Sequence, residues 1–453
     1  MSNPGEGDLT PIDSAAQLAA YLAVGCKAPS QFRIGTEHEK FGFHRQSLTP
    51  PPYEPQGIRA MLEGIAAGGW APILDHDNPI GLTQAGSSVS LEPAGQFELS
   101  GAPRDSLHET QAELDAHLAE VRVVAEPLGL GFAPLGFHPL ATQAEMPWMP
   151  KGRYAIMRRY MPKVGTRGLD MMTRTCTVQV NLDFGAEADM VRKLRVSLAL
   201  QSFGTALFAN SPFYEGRPNG VLSNRAMVWA DTDNARAGIP PVVFEDGFGF
   251  ERFADFALDV PMYFVYRDGH YIDTAGASFR DFMAGKLVGL EGQRPTMGDF
   301  ADHLTTIFTD VRLKRFLEMR GADAGSPAMM VAFSAFWTGL LYDDAALTAA
   351  ESLVRGLTPA ELMAVRAGVP TQGLATPWRH GSLRDLVAPL VAIASDGLAA
   401  RRRCNAAGED ERIYLAPLQE IAEGAPTQAE HWLARYEGAW GRDVRPIFTE
   451  AAI

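Results

Sequence analysis

Four short stretches of the chain alternate acid- or amide-bearing positions with largely apolar ones, and this pattern restricts the fold more than any other feature. On a strand, residues two apart share a face. In RIGTEHEKFGF (33–43), Glu37 and Glu39 point one way, followed by Phe41 and Phe43, while Ile34 and Thr36 point the other. In SLEPAGQFELS (90–100), Glu92, Gln96 and Glu98 share a face, either on one strand or on a tight hairpin around Pro93–Gly95. Arg174–Phe184 reads as a strand with Cys176, Val178, Val180, Leu182 and Phe184 on one face and Thr175, Thr177, Gln179, Asn181 and Asp183 on the other. In FLEMR (316–320), Glu318 and Arg320 lie together, with Leu317 and Met319 opposite. Neighbouring carboxylates on a sheet face need a cation, a shared proton or open water. The stretches are therefore either unrelated wet strand faces or parts of one antiparallel sheet, with one face on the core and the other lined by acids and amides.

The 453 residues are 46% apolar, enough for a large core and long for one ordinary domain. A division is expected into a catalytic sheet with covering helices (1–320) and a helical C-terminal region packed on it (321–453), with one continuous domain as the alternative. With 40 Lys+Arg against 54 Asp+Glu, the formal charge of −14 disfavours nucleic acid and anionic membranes as partners. An anionic substrate stays open, because bound metal ions reverse the field locally. Cys26, Cys176 and Cys404 are few and far apart, which implies neither a disulfide framework nor a zinc site and suits a reducing cytoplasm. The opening MSNPGEGDLTPID lacks the basic and apolar regions of an export signal, and no apolar run is long enough for a bilayer.

Elsewhere the spacing predicts helices from Asp13 to Val24, over 56–67, 105–126, 188–210, 345–367, 383–403 and 427–439, and a strand over 263–266. Another short strand fits 314–320. Met149–Gly168 is basic, aromatic and punctuated by Gly and Pro, and is expected to be a functional loop. Asn210–Arg236 is expected to be loop-rich.

Glu37, Glu39, Glu92, Glu98 and Glu318, with no thiolate or paired histidines beside them, select a hard, oxygen-seeking cation: magnesium, or manganese in its place. Magnesium keeps waters and shares carboxylates with substrate phosphates, so the acids point toward a nucleotide polyphosphate. Arg153 and Arg225 are candidates for a bidentate clamp on an amino-acid carboxylate, with Lys151 nearby. Arg320 is a candidate for stabilising a moving phosphoryl group. His38 alternates away from the acids and reads as structural, Cys176 reads as core, and Gly247 and Gly249 fail the dinucleotide pattern.

IGTEHEKFGF, LEPAGQFELSGAP, MPKGRYAIMRRYMPKVG, LDMMTRTCTVQVNLDF, ALFANSPF, DVPMYF and VRLKRFLEMRGAD together resemble the plant-type glutamate–cysteine ligases, which also occur in bacteria, from about Gln31 to Phe448. More distantly the chain is similar to glutamine synthetase. The resemblance implies an α+β fold with a curved, mostly antiparallel sheet roofed by helices. It also implies ATP-dependent joining of the glutamate γ-carboxylate to the cysteine amine. By resemblance, Glu37, Glu39, Glu92, Glu98 and Glu318 bind magnesium, Gln179 and Asn181 form an amide pair, Arg153 and Arg225 bind substrate, and Ser223 and Tyr263 lie around the cysteine pocket. Lys151 and Gln96 are expected on the nucleotide side, and Glu318 and Arg320 in catalysis.

Plant members carry two cysteine pairs that form regulatory disulfides. The corresponding positions here are Gln111, Val331, Thr274 and Gly289, so the redox-linked dimer switch is not expected, and a monomer or weak homodimer is. Nor is a plastid leader read at the N-terminus. The rival readings are a γ-glutamyl ligase with another amine acceptor and a metal-dependent phosphohydrolase or nucleotide-binding protein built on the same acids.

Overall fold

The computed structural model describes residues 7–453, so the first part of the acidic N-terminal stretch lies outside the described residues. At its centre is β1 (Ile34–His44), flanked by β5 (Phe97–Ser100) and β7 (Thr177–Leu182). Outward from β5 follow β4 (Ser87–Leu91), β3 (Asn78–Gln84) and β2 (Ala71–Asp75). Outward from β7 come β9 (Leu317–Asp323) and β8 (Val311–Leu313), while β6 (Leu130–Ala133) pairs with the far end of β1. All these pairings are antiparallel, and the nine-stranded sheet has the mixed α+β character expected.

The alternation in the sequence separates the two sheet faces. Ile34, Val178, Val180 and Leu182 are buried in an apolar core shared with α5 (Glu187–Leu207) and α7 (Pro327–Leu341). Phe97 and Leu99 pack with α1 (Ile58–Ala66) and α2 (Leu107–Ala125). α7 starts where Ser326 Oγ accepts the Met329 N–H and Pro327 occupies the first turn. Met329–Leu341 is buried all round, as suits a helix between a sheet and a second helical layer. α7 crosses α10 (Val387–Arg401) at two glycines: a Cβ on Gly339 would lie 2.2 Å from the Ala394 oxygen, and one on Gly397 1.9 Å from the Gly339 oxygen. The largest core runs from Ile12 to Ile421, and β9 passes through Arg320, where the sequence suggested a division.

Several expectations change. Met149–Gly168 is mostly helical: α3 (Gly152–Tyr160) leads into a tight turn at Met161–Lys163. Its glycines and proline mark helix ends, while Arg153, Tyr154, Ile156 and Met157 bury one side. β7 begins at Thr177, because α4 (Gly168–Arg174) holds Arg174 against Asp170 one turn earlier, at 2.8 Å. The strand predicted over 314–320 is the turn and second arm of the β8–β9 hairpin. The helix predicted over 345–367 is two helices, α8 (Asp344–Val354) and α9 (Pro359–Gln372), divided where Gly356 takes φ +81° and Thr358 caps the second. Ser14, not Asp13, precedes the first helix.

Candidate active site

The register explains how the acids meet. Glu39 on β1 stands directly opposite Glu98 on β5, and Glu37 stands opposite Gln179 on β7. Glu318 on β9 faces Asn181 on one side and Arg312 of β8 on the other. Pro93–Gly95 turns as a hairpin, with Gly95 at φ +82° and the Glu92 N–H bonded to Gln96 O, which brings Glu92 over the same face. An open cavity of about 820 Å³ lies on this face, lined among others by Glu37, Glu39, Glu92, Glu98, Arg153 and Arg225. Gln96, Gln179, Arg312 and Arg320 complete its polar wall.

Three of these acids are oriented by specific donors. Glu37 Oε1 accepts from Asn181 Nδ2 at 2.8 Å, and Glu39 Oε2 from the Thr177 N–H at 2.9 Å. Glu98 accepts from Ser90 Oγ and Ser100 Oγ, each at 3.0 Å. Burial, reinforced by Glu92 and Glu98, pushes the Glu39 carboxyl well above its ordinary range. Burial, with Glu37 and Glu92, pushes Glu98 up to about 8. Carboxyls under that pressure fit a cation placed among them. The carboxyls of Glu37, Glu39, Glu92 and Glu98 and the Gln179 amide offer only oxygen donors to this face. The residues therefore fit magnesium or manganese. Among the described residues, no group of three or more His, Cys, Asp or Glu converges as a metal site by itself, so an ion held here takes part of its shell from water and substrate oxygens.

Glu318 is placed differently from the other acids. It is fully buried, and Arg312 bonds both its oxygens, at 2.7 and 3.0 Å. Lys314 Nζ lies 3.1 Å away, and Arg320 also bonds it. Burial pushes this carboxyl up, but Arg312, Lys314 and Arg320 outweigh burial and hold it well below the ordinary range. A metal bound at Glu318 has to displace one of these cations. Arg320 also bonds Gln179 Oε1, which fixes its guanidinium toward the cavity.

Arg225, from α6 (Asn224–Trp229), is 3% exposed; its Nη2 donates to Arg320 O at 2.7 Å and its Nε has no hydrogen-bond partner. Arg153 lines the same cavity and stacks 5.0 Å over Phe264. These guanidiniums are suited to hold a carboxylate or phosphoryl group in the same cavity as the acids.

Other predicted residues lie at the edges of the cavity or behind it. Gln96 reaches the wall, but its amide is used in bonds to the Ala94 N–H, Met172 O and Thr175 O, so it ties the hairpin to α4 and does not offer itself to a nucleotide. Asn181 holds Glu37 from outside the lining. Lys151 is buried with Nζ 5.2 Å from the Tyr154 ring, and burial pushes its ammonium down to about 8. Ser223, expected near the acceptor pocket, is a helix cap: its Oγ accepts the Ala226 N–H at 3.0 Å and donates to Asp323 Oδ1 at 2.9 Å. Tyr263, expected there too, lies beneath the Arg236 guanidinium at 3.8 Å and donates to Asp233 at 3.1 Å. Both are buried polar groups whose bonds are satisfied away from the cavity. The sequence reading missed Arg312 and Lys314, the cations around Glu318. Their signal was the VRLKRFLEM hairpin, in which Arg312 falls opposite Glu318 once the turn sits at 314–316.

Comparisons with known proteins identify the family. Residues 33–450 match the family described as Glutamate-cysteine ligase family 2 (GCS2). The chain is 54% identical over 434 residues to "Glutamate--cysteine ligase, chloroplastic" of Nicotiana tabacum, covering 96% of this chain and 82% of that protein. It is 52% identical to "Glutamate--cysteine ligase B, chloroplastic" of Oryza sativa subsp. japonica, with 96% and 86% covered. Among solved structures, a glutamate–cysteine ligase of Francisella tularensis in complex with AMP aligns with TM-score 0.54 at 10% identity, over 92% of this chain and 88% of that one, which shows a common fold. With its matched span reaching from Arg33 to Glu450, the chain belongs to the glutamate–cysteine ligase family.

Proposed function

We propose that this enzyme joins the γ-carboxylate of L-glutamate to the amine of L-cysteine using ATP, through γ-glutamyl phosphate, releasing γ-glutamylcysteine, ADP and phosphate. The observation that carries this reading is the meeting of Glu37, Glu39, Glu92 and Glu98 with Arg153, Arg225 and Arg320 around one cavity in a member of this family. A carboxylate does not accept an amine at neutral pH, because oxide would have to leave. Phosphorylation turns that oxygen into a leaving group.

Glu37, Glu39, Glu92 and Glu98 would hold Mg²⁺ or Mn²⁺, which when bound neutralises charge on the triphosphate. Arg153 and Arg225 grip glutamate, their planar forks matching a carboxylate. Gln179 and Glu318 aim the Arg320 guanidinium, which stabilises the phosphoryl group as charge shifts onto its oxygens. Glu37, Glu39 and Glu98 are themselves buried, which limits the water that would otherwise hydrolyse the acyl phosphate. The cysteine amine attacks the acyl carbon, and phosphate departs. All three cysteines of the chain are free, which fits a reducing compartment, and we place the enzyme in the cytoplasm as a monomer or weak dimer. No helix among the described residues is long and apolar enough to cross a membrane.

A coupled assay of ADP release tests the reading. Turnover is expected only when ATP, Mg²⁺, glutamate and cysteine are all present. Equal release without cysteine would identify a phosphohydrolase, and release with a different amine alone would move the acceptor.

A further inference from the structure

Beside the acid cavity lies a second open chamber of about 490 Å³, and Arg225, Trp229, Phe308 and Arg320 line both. Among the described residues its single acid is Asp310, which stands between β8 and the short strand Phe308–Thr309. Arg225 and Arg320 thus have an acid available on either side: the catalytic carboxylates in one chamber and Asp310 in the other. Among the acids, Asp323 acts most strongly on Arg225, followed by Glu39, and Asp310 acts on it more weakly.

An unpaired carboxylate in such a wall is a strong competitor for a guanidinium, because charge interactions gain strength as solvent is excluded. Asp310 is not unpaired. Arg366, reaching in from α9, donates Nε to Asp310 Oδ2 at 2.7 Å and Nη2 to Oδ1 at 3.1 Å, a bidentate grip on both oxygens. The turn itself does not depend on that pair. The Asp310 N–H donates to Gly238 O at 2.8 Å, and the Arg320 N–H donates to Asp310 O at 3.2 Å.

We propose that Arg366 is a positioning residue: by occupying both oxygens of Asp310, it prevents that acid from drawing Arg225 and Arg320 out of the acid cavity. A helix of the C-terminal region thereby governs the substrate clamp without touching substrate.

The test rests on the ligase reading, since its main readout is turnover, and uses full-length wild type, Arg366→Ala, Asp310→Asn and the double variant. Each is assayed for kcat, KM for glutamate and melting temperature. Arg366→Ala is expected to lose on the order of tenfold or more in kcat/KM, as misplacement of a clamp does. Asp310→Asn removes the competing charge and is expected within about twofold of wild type, and the double variant is expected to recover most of the loss. A purely structural tie gives the opposite pattern, with Asp310→Asn and the double variant as impaired as Arg366→Ala. That pattern, or wild-type kinetics in Arg366→Ala, overturns the proposal. If Arg366→Ala melts early, Arg366→Lys replaces it: a one-point contact leaves an oxygen of Asp310 open, so a loss repaired by adding Asp310→Asn supports competition, and an unrepaired loss overturns it. A wild type inactive in the omission assay would instead count against the ligase reading. The same variants would then be compared by calorimetric binding of L-glutamate, with the same order expected and a reversed order overturning the proposal.

Discussion

At the scale of single residues, the site is an arrangement of like charges held together by the backbone around it. Glu39 and Glu98 face each other across a strand pair, where like charges repel and a few hydroxyl and backbone donors hold them in place. Replacing one should therefore separate function from stability. Glu98→Gln is expected to lower magnesium-dependent ADP formation on the order of 10²-fold or more, while the melting temperature of the metal-free protein does not fall. Wild-type turnover in that variant would remove Glu98 from the site. Arg225→Ala is expected to raise the KM for glutamate about 10- to 100-fold, the range of one lost charge-assisted contact. An unchanged KM would contradict the clamp. The acids were legible in the sequence because period-two alternation fixes which side chains share a face. Arg312, Lys314 and Arg366 were not, because their importance comes from what stands opposite them across a turn or on a distant helix.

At the scale of elements, the glycine pair where α7 crosses α10 sets how closely these two helices approach each other. Neither Gly339 nor Gly397 takes a left-handed backbone; each is small because the other helix's backbone occupies the space. Gly339→Ala is expected to lower the midpoint of denaturant unfolding, with a cost of about 1–3 kcal/mol from overpacking. An unchanged midpoint would mean that the helices are not in backbone contact. Strands β1 and β7 were readable because their apolar faces pack on helices while their polar faces do not. The helix at Gly152–Tyr160 was not, because a basic, Gly- and Pro-marked segment looks like a loop until burial of Arg153, Tyr154, Ile156 and Met157 reveals its inner side. The hairpin at 311–323 was half legible, since its second arm alternates and its turn, Lys314–Phe316, carries no Gly or Pro.

At the scale of the whole molecule, one core joins residues from the N-terminal helix to the C-terminal region, and buried histidines tie its stability to pH. Burial pushes His138 down to about 3 and His303 down to about 4, and His117 well below its ordinary value. His138 Nδ1 accepts the Ala141 N–H at 3.0 Å, which it can do only when deprotonated. Each of these groups binds fewer protons folded than unfolded once the pH drops below about 6.5, so their contribution is complete above that pH and is lost as pH falls. Between pH 6.5 and pH 4 each such histidine is expected to lower stability by up to about 1.4 kcal/mol per pH unit, in a single unfolding transition, while the raised Glu39 and Glu98 carboxyls, which bind protons in the metal-free fold over the same range, offset part of that decline. Two separated transitions would contradict one continuous core. The same continuity brings acids, an amide and an arginine from four separate segments to one cavity, and the central claim is that this cavity phosphorylates a carboxylate. Glutamate labelled with heavy oxygen in its γ-carboxylate tests that claim most directly. With ATP, Mg²⁺ and cysteine present, the expected result is one labelled oxygen in each phosphate released; phosphate carrying no label would contradict it.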